Sequence, residues 1–244
     1  MDLKAHYRRL HGEALNRIRQ EGFSFDPLLL DPTDTRKGLT LLLRPNTNLL
    51  RSFSGFVEAV QRLAPGHHGY PPSDMHVTLM PLVSCYPEFR LGAVDLPAYI
   101  ERIEESLRDI PPIQIEFKGV FASSSCLMIQ GYPLDAYLEE SREHLRRLFK
   151  HSGLEQSLDQ RYRLVTAHCT LIRFQKPVSR TQTTDVLALL DHYRDHFFGC
   201  QHFEQVEFVC NDWYQRQKNV TLIQTFSLSG KRPDQIRGEY QPGR

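Results

Sequence analysis

Residues 76–79 read His76-Val77-Thr78-Leu79, and residues 168–171 read His168-Cys169-Thr170-Leu171. In a strand, successive side chains point to opposite faces. His76 and Thr78 therefore share one face, while Val77 and Leu79 share the other, and the same split holds for His168 and Thr170 against Cys169 and Leu171. The apolar pair of each strand can pack beneath helices and leave the polar pair on an open face. A single His-x-Thr is short, and a lone strand histidine is an ordinary structural residue. Two copies at equivalent places in two similar halves are a different matter.

Working outward, the first copy sits in a regular pattern. Leu39–Arg44 reads as a strand, and Asn48–Leu63 as a helix with Phe53, Phe56, Val57, Val60 and Leu63 in its stripe. A Gly/Pro/His loop at residues 65–74 leads to a strand over His76–Val83. A helix follows, N-capped by Asp95 with Pro97 in its first turn, and it stops at Pro111–Pro112 before an alternating strand, Ile113–Phe121. Around the second copy the order repeats: strand Leu127–Gln130, helix Leu134–Phe149, strand Leu164–Phe174 and helix Thr184–His196, with closing strands Phe203–Cys210 and Val220–Leu228. This duplication predicts an α+β, bilobal fold in which two antiparallel sheets surround a central cleft, with helices on the outside. Lobe one is expected over residues 38–121 and lobe two over 126–229, with strands open to exchange between them. Residues 1–37 read as an amphipathic helix (Tyr7, Leu10, Ala14 and Ile18 on one face) and an irregular arm lying on the body, and 230–244 as a solvated tail.

Composition narrows the function. With 244 residues, 40% hydrophobic and 24% charged, the chain is of ordinary globular type rather than disordered, collagen-like or coiled-coil. Its 30 Lys plus Arg against 29 Asp plus Glu give a net charge of +1, too little basic excess for tracking long duplex nucleic acid. A partner with one or a few phosphates needs only local donors. No apolar run approaches a membrane span, and the charged start lacks the apolar core of a signal peptide. Cys85, Cys126, Cys169, Cys200 and Cys210 are odd in number and widely spaced, which predicts reduced thiols in a cytoplasmic protein.

If the lobes meet about a pseudo-twofold axis, two imidazoles and two hydroxyls converge on one volume. A histidine titrates near 6.5, so of two across a phosphate one can act as general base and the other as general acid. The threonine hydroxyls can donate to the oxygens that gain charge. This chemistry needs no metal, and no Gly-rich phosphate loop supports ATP or dinucleotide use.

The two tetrapeptides, set in a duplicated α+β pattern over residues 38–229, resemble the 2H phosphoesterase superfamily. Its members share a bilobal fold with two His-x-Thr/Ser motifs lining a groove. They include RNA 2′,3′-cyclic phosphodiesterases, 2′–5′ RNA ligase-like proteins, cyclic ADP-ribose-phosphate phosphodiesterases and enzymes that trim 2′–5′ or 3′ RNA ends. Residues 152–174 are also similar to a bacterial subgroup of that superfamily. The resemblance implies that His76 and His168 are the acid/base pair and that Thr78 and Thr170 hold phosphoryl oxygens. It implies a metal-independent hydrolase, without cofactor, for the 2′,3′-cyclic phosphate of a nucleotide or a short RNA end. Cleavage of linear 2′–5′ or 3′-terminal RNA bonds is the alternative enzyme, and a nucleotide- or RNA-binding module the non-catalytic one.

Other residues carry two readings each. Arg173 is a phosphate ligand or a solvated strand-end charge, and strict alternation puts it opposite His168 unless a bulge re-aims it. Tyr70 stacks on a base or pins its loop, and Trp213 is a ligand platform or core. His192, His196, Cys200 and His202 have spacing that suits zinc but neighbours that suit a solvated helix end, so no metal is expected. His67 and His68 decorate the loop beside the cleft, and the basic run Arg142–Lys150 reads as the wet face of a helix.

Overall fold

The computed structural model describes residues 2–230; residues 231–244, most of the expected tail, lie outside the described residues. Helix α1 (Leu3–Glu21) comes first, N-capped by Asp2. Strand β1 (Lys37–Leu43) leads through the Asn46 N-cap into α2 (Thr47–Leu63), which buries Leu49, Phe53, Phe56, Val57 and Val60. A two-residue strand β2 (His68–Gly69) precedes β3 (Val77–Tyr86). Helix α3 (Leu96–Leu107) begins at Asp95, whose side chain accepts from the Ala98 amide, with Pro97 in the first turn.

The second half of the chain contains β4 (Ile113–Ala122), β5 (Cys126–Pro133), α4 (Tyr137–Lys150) and β6 (Cys169–Arg173). It continues with α5 (Arg180–His192), β7 (Phe197–Phe203), β8 (Gln205–Asp212) and β9 (Thr221–Ser227). Three boundaries differ from the periodicity. Helix α4 starts at Tyr137, leaving Leu134 exposed in the turn after Pro133. Helix α5 starts at Arg180 because Ser179 and Gln182 form a reciprocal capping box, and it ends at His192, so that Phe197–Phe203 is free to form β7. The expected strand from Leu164 is laddered only from Cys169, because side chains take the backbone groups before it: the Thr166 carbonyl accepts from Arg142 and the Ala167 amide donates to Tyr7.

All strands belong to one antiparallel sheet in the order β7-β4-β5-β6-β3-β1-β8-β9, with β2 beside β6. It is strongly curled and reads as two halves, β7-β4-β5-β6 and β3-β1-β8-β9. They are joined where β3 meets β6 by a single residue pair, Val77 opposite Cys169. The halves interleave along the chain: β4 pairs with β5 and β7, while β8 returns to pair with β1. Helices α2 and α5 cover the first half, and α3 and α4 cover the second. Among the described residues, no helix is long and apolar enough to cross a membrane.

Helix α1 packs on β4. Its Tyr7 is fully buried against Phe121 and Tyr132, with ring centroids 4.9 and 5.4 Å away. The Tyr7 hydroxyl donates to the Gly131 carbonyl (3.2 Å) and accepts from the Ala167 amide (3.1 Å).

Candidate active site

The junction of the two sheet halves places both motifs. Val77, Leu79, Cys169 and Leu171 are fully buried, whereas His76, Thr78, His168 and Thr170 are half-buried and line one groove of about 240 Å³. The alternation that separates the two pairs in sequence separates core from groove in space. Because Val77 and Cys169 are paired, the two polar pairs are drawn to the same seam.

The two rings are anchored differently. His76 Nδ1 lies 2.7 Å from the Asp74 carbonyl oxygen, an acceptor only, so Nδ1 carries the proton and Nε2 of the neutral ring is a free acceptor. His168 Nδ1 lies 2.8 Å from the Thr166 hydroxyl, which can donate or accept. Burial pushes both histidines down to about 4. At His76 the Asp74 carbonyl opposes that shift and Arg44 adds to it; at His168 the neighbouring His76 and Arg142 add to it. Both rings are therefore neutral near pH 7 in the free protein.

Arg173 also lines the groove. Leu127 faces Ile172 and Met128 faces Thr170, so one residue of β6 is extra and the strand bulges. The bulge returns Arg173 to the face of His168 and Thr170. Its Nη1 donates to Asp26 Oδ2 (3.2 Å), its Nε to the Tyr70 hydroxyl (3.4 Å), and its guanidinium lies 5.2 Å from the centre of the Tyr214 ring. Asp26 comes from the arm after α1, and it also accepts from the Tyr214 hydroxyl (3.1 Å). The arm thus braces two residues of the groove wall, Arg173 and Tyr214, without itself lining the groove. Tyr70 is buried, with burial raising its hydroxyl to about 12, and its amide donates to Leu171 O (2.9 Å). It holds Arg173 and its loop and offers no open ring face. Trp213 is at the groove between two guanidinium groups, Arg161 at 4.5 Å and Arg36 at 4.9 Å from the ring centre.

The basic run on α4 is a correction. Arg142 is fully buried, not on a wet face. Its Nε donates to the Leu79 carbonyl (2.9 Å), and its Nη2 to those of Thr78 (3.1 Å) and Thr166 (2.8 Å). It therefore ties the first motif to the residue whose hydroxyl holds His168. Helical spacing carried the signal, because Leu138, Arg142, Leu145 and Phe149 form one buried stripe. Asp26, Thr166 and Tyr214 were also missed; their roles come from long-range packing that no local pattern encodes. His67 is likewise not a loop decoration: it is buried against Phe174, with ring centroids 4.9 Å apart. His196 packs on Tyr193 and Phe198, Cys200 is exposed on β7, and among the described residues no three His, Cys, Asp or Glu side chains are grouped to hold a metal.

Solved structures share this architecture. Protein TT0787 of Thermus thermophilus aligns over 81% of this chain and 100% of its own, at 17% identity and a TM-score of 0.56. Escherichia coli LigT, crystallised with 3′-AMP, aligns over 80% of this chain and 99% of its own, at 12% identity and a TM-score of 0.54. A conserved protein of unknown function from Agrobacterium tumefaciens, ATU0111, covers 86% of this chain and 98% of its own, at 12% identity and a TM-score of 0.59. No curated protein matches the sequence. Residues 46–220, which hold both tetrapeptides and the junction between them, match the AKAP7 2′5′ RNA ligase-like domain, and the chain belongs to that family, within the 2H phosphoesterase superfamily.

Proposed function

We propose that the groove hydrolyses the 2′,3′-cyclic phosphate of a nucleotide or a short RNA end without a metal ion. The observation that carries this reading is the meeting of two half-buried imidazoles and two threonine hydroxyls at one seam, where desolvation favours the neutral ring. One neutral imidazole takes a proton from water as the water oxygen forms its bond to phosphorus. The bond from phosphorus to a ribose oxygen breaks, and the other ring, as imidazolium, protonates that oxygen. A phosphomonoester is left, and the rings exchange their protons with solvent before the next turnover. Which ring plays which part follows from which ribose oxygen faces it.

The depressed histidines suit the base role directly. The acid role requires one ring to gain a proton, and the anionic substrate supplies the reason, because a phosphate between the rings favours the charged form. Thr78 and Thr170 donate to the non-bridging oxygens. Arg173, steadied by Asp26 and Tyr70, supplies a fixed positive charge at the same wall. That LigT, of the same fold, is crystallised with 3′-AMP and with phosphate supports a nucleotide-sized, phosphate-bearing ligand.

The test is incubation with each 2′,3′-cyclic mononucleotide in the presence of chelator, followed by phosphorus NMR. A single 2′- or 3′-phosphate product is expected, and His76→Ala or His168→Ala lowers its rate about a hundred- to ten-thousandfold. Near-wild-type rates in both variants would remove the histidines from the chemistry. Turnover of linear 2′–5′ or 3′-terminal bonds, with none of the cyclic substrates, would replace this reaction with cleavage at the same groove.

A further inference from the structure

A cavity of about 760 Å³ opens between α1, β4, β5 and the C-terminal end of α5. It shares no residue with the groove. Its volume falls within the range of sites that enclose small molecules. The floor is apolar, formed by Leu15, Val120, Leu187 and Leu190, while five basic side chains and three carboxylates line it around that floor.

The charges are unevenly placed. Arg19 and Arg194 lie close enough to His11 to add to the effect of burial in lowering its pKa. His11 Nδ1 accepts from the Ala122 amide (3.2 Å), so the neutral ring carries its proton on Nε2 as a free donor. Of these donors, Arg194 is bonded to Asp191. Around Tyr132, by contrast, Arg8 is outnumbered by Asp2, Glu116 and Asp195, while Lys4 and Lys118 complete the basic lining. The His11 end therefore sets two guanidinium groups against one carboxylate, Asp191, and an anionic group is favoured there.

Gly12 leaves room in the cavity wall. It sits in the middle of α1, without a positive φ, and lines the cavity. A Cβ built on it meets nothing within 4 Å. Glycine weakens a helix interior relative to alanine. Neither backbone conformation nor crowding calls for it here, and what it provides is open space in the cavity wall.

We propose that this cavity is a second ligand site, which takes a small organic anion with its apolar body over Leu15, Val120, Leu187 and Leu190 and its phosphate, carboxylate or sulfonate between His11, Arg19 and Arg194. The site stands apart from the proposed reaction and is tested on the full chain with 8-anilinonaphthalene-1-sulfonate as the probe. Fluorescence titration gives one saturable site, weakened at least tenfold by Gly12→Leu and at least tenfold by Arg19→Ala with Arg194→Ala. Hydrolysis of the cyclic substrate stays at the wild-type rate in these variants, and circular dichroism shows that they remain folded. Displacement of the probe by AMP identifies an aromatic body, and displacement by decanoate an aliphatic one. Probe binding that ignores both sets of substitutions, or that neither competitor displaces, overturns the proposal.

Discussion

The two half-buried histidines of the groove, and the buried Arg142 behind them, have consequences for stability that can be measured beside turnover. His76 and His168 are held near 4 in the folded chain, while in the unfolded chain they titrate near 6.5. Between those values the unfolded state binds protons that the folded state refuses, so stability rises with pH through this window and falls on acidification from 6.5 towards 4. Each ring accounts for up to roughly 3 kcal/mol. Urea unfolding at a series of pH values should show this fall, and the double variant His76→Gln, His168→Gln should flatten it. Some slope persists, because His11, His67 and His68 are shifted in the same direction. An unchanged slope in the double variant would mean that the rings are solvated. Arg142 acts through the backbone. Arg142→Met leaves the carbonyls of Thr78, Leu79 and Thr166 without their donor, a loss of about 3 kcal/mol or more. Arg142→Lys restores the charge on a single nitrogen without the guanidinium fork and should fold, yet its kcat should fall about tenfold or more because Thr78 and the support of His168 are no longer held together by the fork. Wild-type stability in Arg142→Met would show that the buried guanidinium holds nothing.

At the scale of elements, the strands meet with little room to spare. A Cβ on Gly131 would lie 1.9 Å from the carbonyl oxygen of Ala167, the residue before His168. Gly131→Ala must push that backbone away, at a cost of roughly 1–3 kcal/mol, and displace His168 with it. Reduced kcat together with a lower urea midpoint is the expected outcome; unchanged values for both would show that the segment before β6 moves freely. Strand alternation was legible in the sequence because period two is local, and it alone assigns His76, Thr78, His168 and Thr170 to the open face. The start of α5 was legible too, in Ser179 and Gln182, although the apolar stripe alone began it four residues late. Arg142 was visible by spacing and concealed by its charge. The strand β7 was concealed by reading α5 on to His196. Asp26 before Pro27 reads locally as the cap of a short turn, its Oδ1 accepting from the Leu28 amide, but its partners at the groove, Arg173 and Tyr214, are 147 and 188 residues away.

At the scale of the whole molecule, two sheet halves joined by one residue pair look separable, but the chain connects them repeatedly. It runs from β1 to α2 on the other half, back to β3, across to β4 and β5, back to α4, across again to β6, and finally home to β8 and β9. The duplication in the sequence suggests two lobes and leaves strand exchange between them open; the long-range strand pairing that interleaves them is carried by no local pattern. Interleaving predicts that neither half unfolds alone, so the molecule should behave as one cooperative unit. Tyr7 and Trp213 make this testable. Among the described residues, the hydrogen bonds and ring contacts of Tyr7 go to the half that contains β4 and β5, and its removal leaves a cavity beside Phe121 and Tyr132 and an unpaired Ala167 amide. Tyr7→Ala should therefore destabilise by roughly 3 kcal/mol or more. The single tryptophan, Trp213, follows β8 in the opposite half. In urea its fluorescence midpoint should fall in Tyr7→Ala by the same amount as the midpoint seen by far-ultraviolet circular dichroism. A Trp213 transition that stays at the wild-type midpoint while the dichroism shifts would show two independently folding halves, and the groove between them would then be a hinge rather than a fixed seam.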